Sequence, residues 1–286
     1  MEMVCPQEMN SIEIITDSCS DLTPELIRQF NLRIVPLQVY INGTTYQDGD
    51  LPVHELFALV EKTGELPKTS APLVPEFARR FESADCAVFI GISSRLSATC
   101  HNALLAAGQF PGKNITVIDS LNLSTGIGML ALLAAEMRDA GCSQQEIAAF
   151  LLEARKKVRT SFTIDSLEYL HKGGRCSAMQ AVVSSLLSIR PVITAQPDGT
   201  LGIKAKIRGS RKKALNSMLA DFAQQADQID LRRVFVTHTG CHDDARYLME
   251  EIAKIAPVQE VLETVTSATV ASHCGPNTIS ILYMVK

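Results

Sequence analysis

The feature that most constrains this chain is an alternation. Short apolar runs of strand character are followed by stretches of helical period: "SIEIITDS" by "TPELIRQFN", "CAVFIGIS" by a helix over 95–109, and "NITVIDS" by a helix over 123–140. Strands separated by helices of ten or more residues must pair in parallel through right-handed crossovers. The second half differs: "TSFTIDSLEYLHKGGR" reads as a strand and a short helix ended by Gly173-Gly174, and a hairpin turns at Asp198-Gly199. A helix in "AVVSSLLSI", helices over 210–226 and 243–255, and strands "RRVFVTHT", "EVLETVTS" and "TISILYMV" complete it. The expectation is an α/β protein of two α/β domains, residues 1–160 with a parallel sheet and 161–286 with a mixed sheet, and a ligand between them.

Local signals agree with this layout. Thr23 and Pro24 stand at the N-cap and first position of a helix, and Ser143 and Glu146 have capping-box spacing. "RIVPLQVYING" reads as a single strand, "PVHELFALVEKTG" as a helix with Leu56, Phe57 and Val60 on one face, and "PKTSAP" as a loop held by prolines.

Composition removes several functions. With 286 residues, 46% hydrophobic and 20% charged, the chain has ample core material for a soluble globular protein. A net charge of -4 argues against nucleic acid, and the lack of Trp with 5% aromatics leaves little for stacking bases or sugars. "MEMVCPQEMN" lacks the features of a signal peptide, and the longest uncharged stretch, 120–135, is too short to span a bilayer, so the expected location is the cytoplasm. The eight cysteines form no CxxC pair and read as free thiols.

Three loops then carry hydroxyls where strands end: Asp17-Ser18-Cys19-Ser20, Ser93-Ser94 and Asp119-Ser120. In parallel α/β sheets ligands bind at the carboxyl ends of the strands. A serine loop entering a helix offers hydroxyl and N–H donors beside the positive end of a helix dipole, which suits a carboxylate or phosphate. Each such serine equally suits an N-cap. Thr69 and Ser70 in "PKTSAP" add hydroxyls from another loop, and "SHCGPNTISIL" places His273 in a turn before the last strand.

Other motifs fail on context. "GIGMLA" fits the dinucleotide pattern, yet six residues separate it from the preceding strand, and a helix stands where the strand with a ribose-binding acid is needed. Its small residues instead suit close approach to the backbone. "GISSR" is only part of a nucleophile elbow. His238, Cys241 and His242 lack a second ligand pair at zinc spacing, so neither metal nor cofactor is expected.

In order along nearly the whole chain, "IEIITDSCSDLTPEL", "LPKTSAPLVPEF", "ISSRLSATCHNA", "VIDSLNLSTGIG", "LEYLHKGGRCS" and "HCGPNT" resemble the DegV family. The resemblance implies a two-domain α/β fold binding one long-chain fatty acid between the domains. It further implies a carrier that is not itself catalytic, the lipid-binding subunit of a bacterial fatty acid kinase, whose separate ATP-dependent subunit converts the bound acid to acyl phosphate for phospholipid synthesis. By this resemblance the carboxylate is held by Thr69 and the serine pair, Ser94 ahead of Ser93, with His273 of the C-terminal motif, while Arg175 of "KGGR" faces the kinase subunit. The chain departs from the family pattern at Ala71, Ala98, Cys100 and Asn277, where Gln, Gly, Tyr and Gly are usual.

Energetics suit such a ligand. Burying a tail of about fifteen carbons contributes on the order of 12 kcal/mol gross at ~0.8 kcal/mol per methylene. Hydrogen bonds to the charged head, at ~1.5–3 kcal/mol each, offset much of its desolvation. Helix 127–135 and Val182, Val183, Leu186 and Leu187 are candidate tunnel walls. Lys204, Lys206, Arg208, Arg211, Lys212 and Lys213 form a basic run, either a solvated face or a dock for an acidic kinase subunit or, transiently, an anionic membrane. Two rivals remain: a serine hydrolase of lipid esters with Ser94 as nucleophile and His273 as base, and a binding module for a phosphorylated metabolite.

Overall fold

A computed structural model describes residues 12–175 and 189–286. The chain opens with β1 (Glu13–Asp17), a 3-10 turn at Ser18–Ser20, α1 (Pro24–Gln29), β2 (Leu32–Val35), β3 (Gln38–Ile41), β4 (Thr44–Gln47) and α2 (Val53–Thr63). It continues through β5 (Lys68–Ser70), α3 (Val74–Glu82), β6 (Cys86–Gly91), α4 (Thr99–Ala107), β7 (Asn114–Asp119), α5 (Thr125–Asp139) and α6 (Gln144–Ala154). Then come β8 (Val158–Thr163), α7 (Glu168–Lys172), β9 (Ile189–Ala195), β10 (Leu201–Arg208), α8 (Arg211–Ala223), β11 (Ile229–His238), α9 (His242–Ile255), β12 (Glu260–Val265), α10 (Ala268–Cys274) and β13 (Ile279–Val285).

The N-terminal part holds a parallel sheet in the order β2-β1-β6-β7, as the strand and helix alternation requires. The C-terminal part holds a mixed sheet, β10-β9-β8-β13-β11-β12, in which β11 and β12 run parallel and the other pairs antiparallel. The Asp198-Gly199 hairpin joins β9 to β10, with Gly199 at φ 84°. Capping follows the expected residues: Thr23 accepts the Leu26 N–H, and Ser143 and Glu146 cap each other.

α5 joins the two sheets. It touches β1 and β6 on one side and β8 and β13 on the other, and 127–135 is buried without interruption. One apolar cluster therefore runs from Ile14 and Ile90 through Leu130 to Phe162 and Leu282. A helix apolar on every face is what two flanking sheets demand.

Two expectations about the first half need correction. "RIVPLQVYING" is not one strand: it divides at Pro36 and Leu37, and β2 and β3 belong to different sheets. Proline has no N–H to donate to a ladder, which explains the break. "PKTSAP" is not simply a loop, since β5 pairs antiparallel with β3, opposing Thr69 to Val39 in a small sheet ordered β4-β3-β5. Thr69 is thereby held on a strand.

Candidate functional site

Thr69 meets the far end of the chain. Its Oγ1 lies 2.7 Å from Nε2 of His273. His273 is not in a turn, as "SHCGPN" suggested, but on α10, which ends at Gly275 with φ 78°. Two carboxylates position this short helix: Asp21 accepts the Ser267 N–H at 2.7 Å and Asp48 accepts the Thr269 N–H at 3.2 Å. α10 also packs on α2 and β3, so a C-terminal segment brings its side chains to the N-terminal sheet elements.

Thr69 and His273 line a narrow apolar cavity with Arg175, Ser97, Thr269, Cys19, Leu37, Ile92, Leu96, Leu123, Leu170, Leu201, Val270 and Cys274. Its open volume of about 40 Å³ holds only a few waters. This space is too small for an acyl chain with the lining side chains as they stand. Val182, Val183 and Leu186, Leu187, expected as tunnel walls, lie outside the described residues; of helix 127–135, nothing reaches this lining.

The polar edge of the cavity is positive. Arg175 donates from Nε to the Leu96 carbonyl at 3.0 Å and from Nη1 to the Gly173 carbonyl at 2.6 Å. Among the described residues no carboxylate forms an ion pair with it. Burial, then the Arg175 charge, pulls the His273 pKa down to about 4, so the ring is neutral near pH 7. Its Nδ1 is buried without a hydrogen-bond partner and faces Gly173, where a Cβ would stand 2.3 Å away. An orphaned lone pair is cheaper than an orphaned N–H. The proton therefore belongs on Nε2, which donates to Thr69 Oγ1 and frees the threonine O–H to donate to an anion. Burial holds the nearby Cys19 thiol far above its usual range and Cys274 up at about 12, so neither supplies a thiolate.

The serine loops are mostly engaged elsewhere. Ser93 is buried and donates to the Gly199 carbonyl at 2.8 Å. Ser94 is exposed, its N–H donates to Asp119, and neither serine lines the cavity. Ser97, one of the hydroxyls that follow β6 but not among the expected carboxylate ligands, does line it, and its Oγ lies 2.8 Å from Thr99 Oγ1. The signal that could have found it is its place one turn after Ser93 in the same loop, with its N–H bonded to the Ser93 carbonyl. No hydrogen bond joins Ser94 to His273 among the described residues, so the arrangement gives a hydrolase no activated nucleophile. Ser18 donates to Asp48, and Asp17 accepts the Cys19 and Ile92 N–H groups.

The glycines of "GIGMLA" serve close approach. A Cβ on Gly128 would lie 2.8 Å from the Ser20 carbonyl oxygen, and one on Gly126 2.3 Å from Asn122 Oδ1. His238 and His242 come together with Glu263, whose Oε1 is 2.9 Å from His238 Nε2 and 2.7 Å from His242 Nδ1. Cys241 instead donates to the Thr278 carbonyl. His238 Nδ1 accepts the Gly240 N–H, so its proton sits on Nε2 toward Glu263. Metal-bound histidines donate their second nitrogen rather than accept there, and this cluster is built as a hydrogen-bonded one.

A larger cleft of about 480 Å³, mixed in character, lies across the Ser18–Ser20 turn, bordered by Leu22, Ile27, Ile34 and Val53 as well as Asp21, Asp48, His54 and His242. It lacks the uncompensated cation that an anionic head requires. The basic run is partly neutralised: Lys204 pairs with Asp221, Arg211 with Asp165 and Asp244, and Lys212 lies over the Tyr247 ring. Lys206, Arg208 and Lys213 remain exposed. No described helix is long and apolar enough to cross a membrane.

Comparison with known proteins gives a consistent set of relatives. A family profile described as "Uncharacterised protein, DegV family" matches residues 11–286. A DegV domain-containing protein of Caldanaerobacter subterraneus subsp. tengcongensis is 32% identical over 286 residues, covering 97% of this chain and 100% of the relative. The structure of a DegV family protein from Thermus thermophilus, described for its fatty acid binding, superposes with a TM-score of 0.91 at 34% identity, over 96% of this chain and 100% of that one. DegV of Bacillus subtilis, described as a fatty acid binding protein, superposes at 0.85 with 30% identity, over 96% and 99%.

Proposed function

The chain belongs to the DegV family, and from that premise we propose that it binds one long-chain fatty acid, with the tail among Leu37, Ile92, Leu96, Leu123, Leu170, Leu201 and Val270 and the carboxylate at Thr69, His273 and Arg175. The observation that carries this reading is the Arg175 guanidinium, which has no acid partner among the described residues, at the edge of an otherwise apolar cavity. A half-buried cation with no acid beside it among the described residues favours an anion, and apolar walls favour a hydrocarbon attached to that anion. Arg175 thus faces the ligand in this reading. Fatty acid binding described for the Thermus thermophilus and Bacillus subtilis relatives supports the same ligand class.

The protein is a carrier in this reading. It holds the head group and leaves phosphoryl transfer to a separate ATP-dependent kinase subunit, which forms the acyl phosphate. Exposed Lys206, Arg208 and Lys213 offer that partner a basic face. Native mass spectrometry of the protein purified under mild conditions tests the ligand: a bound mass matching a fatty acid supports the reading. A clean unliganded mass, with no binding of added palmitate, overturns it.

A further inference from the structure

Few polar side-chain atoms among the described residues are both buried and without a hydrogen-bond partner, and of these only Thr269 Oγ1 and His273 Nδ1 belong to residues lining the acyl cavity. His273 Nδ1 is turned against Gly173, which leaves Thr269. Its side chain is 3% exposed. A helical threonine or serine usually satisfies its hydroxyl by bonding the carbonyl four residues back. Ser272 on the same helix does so, donating to the Ala268 carbonyl at 2.7 Å. Thr269, in the first turn of α10, has no helical carbonyl four residues back, since Val265 lies in β12, and its backbone N–H is fixed by Asp48. An unpaired buried hydroxyl is costly to keep, and here it lines a space that receives a ligand.

Thr269 and His273 are four residues apart on α10, so they share one helix face with their Cβ atoms about 5–6 Å apart. A carboxylate has two oxygens, and Thr69, beside His273, reaches one. We propose that Thr269 is a head-group ligand whose hydroxyl donates to the second carboxylate oxygen, making the site specific for an acid over single-oxygen lipids such as primary alcohols. This rests on the fatty-acid reading above and adds a donor that the sequence motifs do not mark.

The test uses titration calorimetry of the full chain with palmitate and with hexadecanol. Thr269→Val keeps shape and volume while removing the hydroxyl. It should weaken palmitate binding by about tenfold or more, as expected for a lost hydrogen bond to a charged group, and leave hexadecanol binding unchanged. Thr269→Ser should restore palmitate binding. Equal weakening for both ligands, or no change for palmitate, overturns the assignment of Thr269 while leaving the fatty-acid reading in place. If the wild-type chain binds neither lipid, the fatty-acid reading itself fails.

Discussion

Gly173 and His273 touch so closely that a Cβ on the glycine would stand 2.3 Å from the ring's Nδ1. The ring that anchors Thr69 thus sits in space that no other residue type leaves open. Gly173→Ala should push His273 off Thr69 and weaken palmitate binding about tenfold, the worth of roughly one hydrogen bond to a charged group. Gly112→Ala, where nothing lies within 4 Å, should leave affinity unchanged in the same calorimetric titration.

Arg175 supplies the only positive charge in the cavity lining among the described residues. Arg175→Gln keeps a donor for the Leu96 or Gly173 carbonyl and removes the charge. Palmitate affinity should fall by about ten- to a hundredfold, as for loss of a charge-assisted hydrogen bond of ~1.5–3 kcal/mol. Competition between palmitate and hexadecanol for the purified variant reads this out as lost preference for the acid.

Burial, opposed by hydrogen bonds from Ser124 and Ser267, raises Asp21 from an ordinary 3.8 to about 7, and burial raises Asp17 to about 7 as well. The folded chain therefore holds these protons more tightly than the unfolded chain does. Stability is highest below the unfolded value, declines as pH climbs from about 4 toward 7, and levels off above the folded value. Asp21→Asn removes the ionisation and keeps an acceptor for the Ser267 N–H. Urea unfolding should show the wild type losing stability between about pH 4 and pH 7, with the loss smaller by roughly 1–3 kcal/mol in the variant.

The basic face splits into structural and free members. Arg211 bonds Asp244 and Asp165, so Arg211→Glu should destabilise the fold by about 2 kcal/mol or more in urea, through an unpaired half-buried charge. Lys206→Glu with Lys213→Glu should leave stability and palmitate affinity intact. That pair should slow acyl phosphate formation by the proposed kinase partner, measured as phosphate transferred from ATP with the loaded carrier; an unchanged rate removes this face from docking.

Much of the architecture was legible because it rests on local signals. The parallel sheet follows from strand and helix spacing, the hairpin from Asp198-Gly199, and α6 from Ser143 and Glu146. The small sheet β4-β3-β5 was not, because its members are three or four residues long and their period cannot be separated from loop. α10 was hidden likewise: seven residues ending in "HCGPN" carry too few turns to announce a helix. Within the site, hydroxyls in similar loops look alike in sequence, yet Ser93 is engaged by Gly199 while Thr69 stays beside the cavity. What separates them is tertiary: which carbonyl lies opposite. The resemblance marked Arg175 as important, but its placement depends on two carbonyls distant in sequence or fixed by the turn. Asn277, where the resemblance leads one to expect glycine, adopts φ 57°, a conformation asparagine tolerates.

Thr69 and His273 are separated by 204 residues, and the helix that delivers His273 is moored by Asp21 and Asp48 near the opposite end of the chain. A growing polypeptide still on the ribosome cannot form the Thr69–His273 contact until α10 has emerged. On the proposed reading, nascent chains that stop short of α10 lack a complete head-group site for a detergent-like acid.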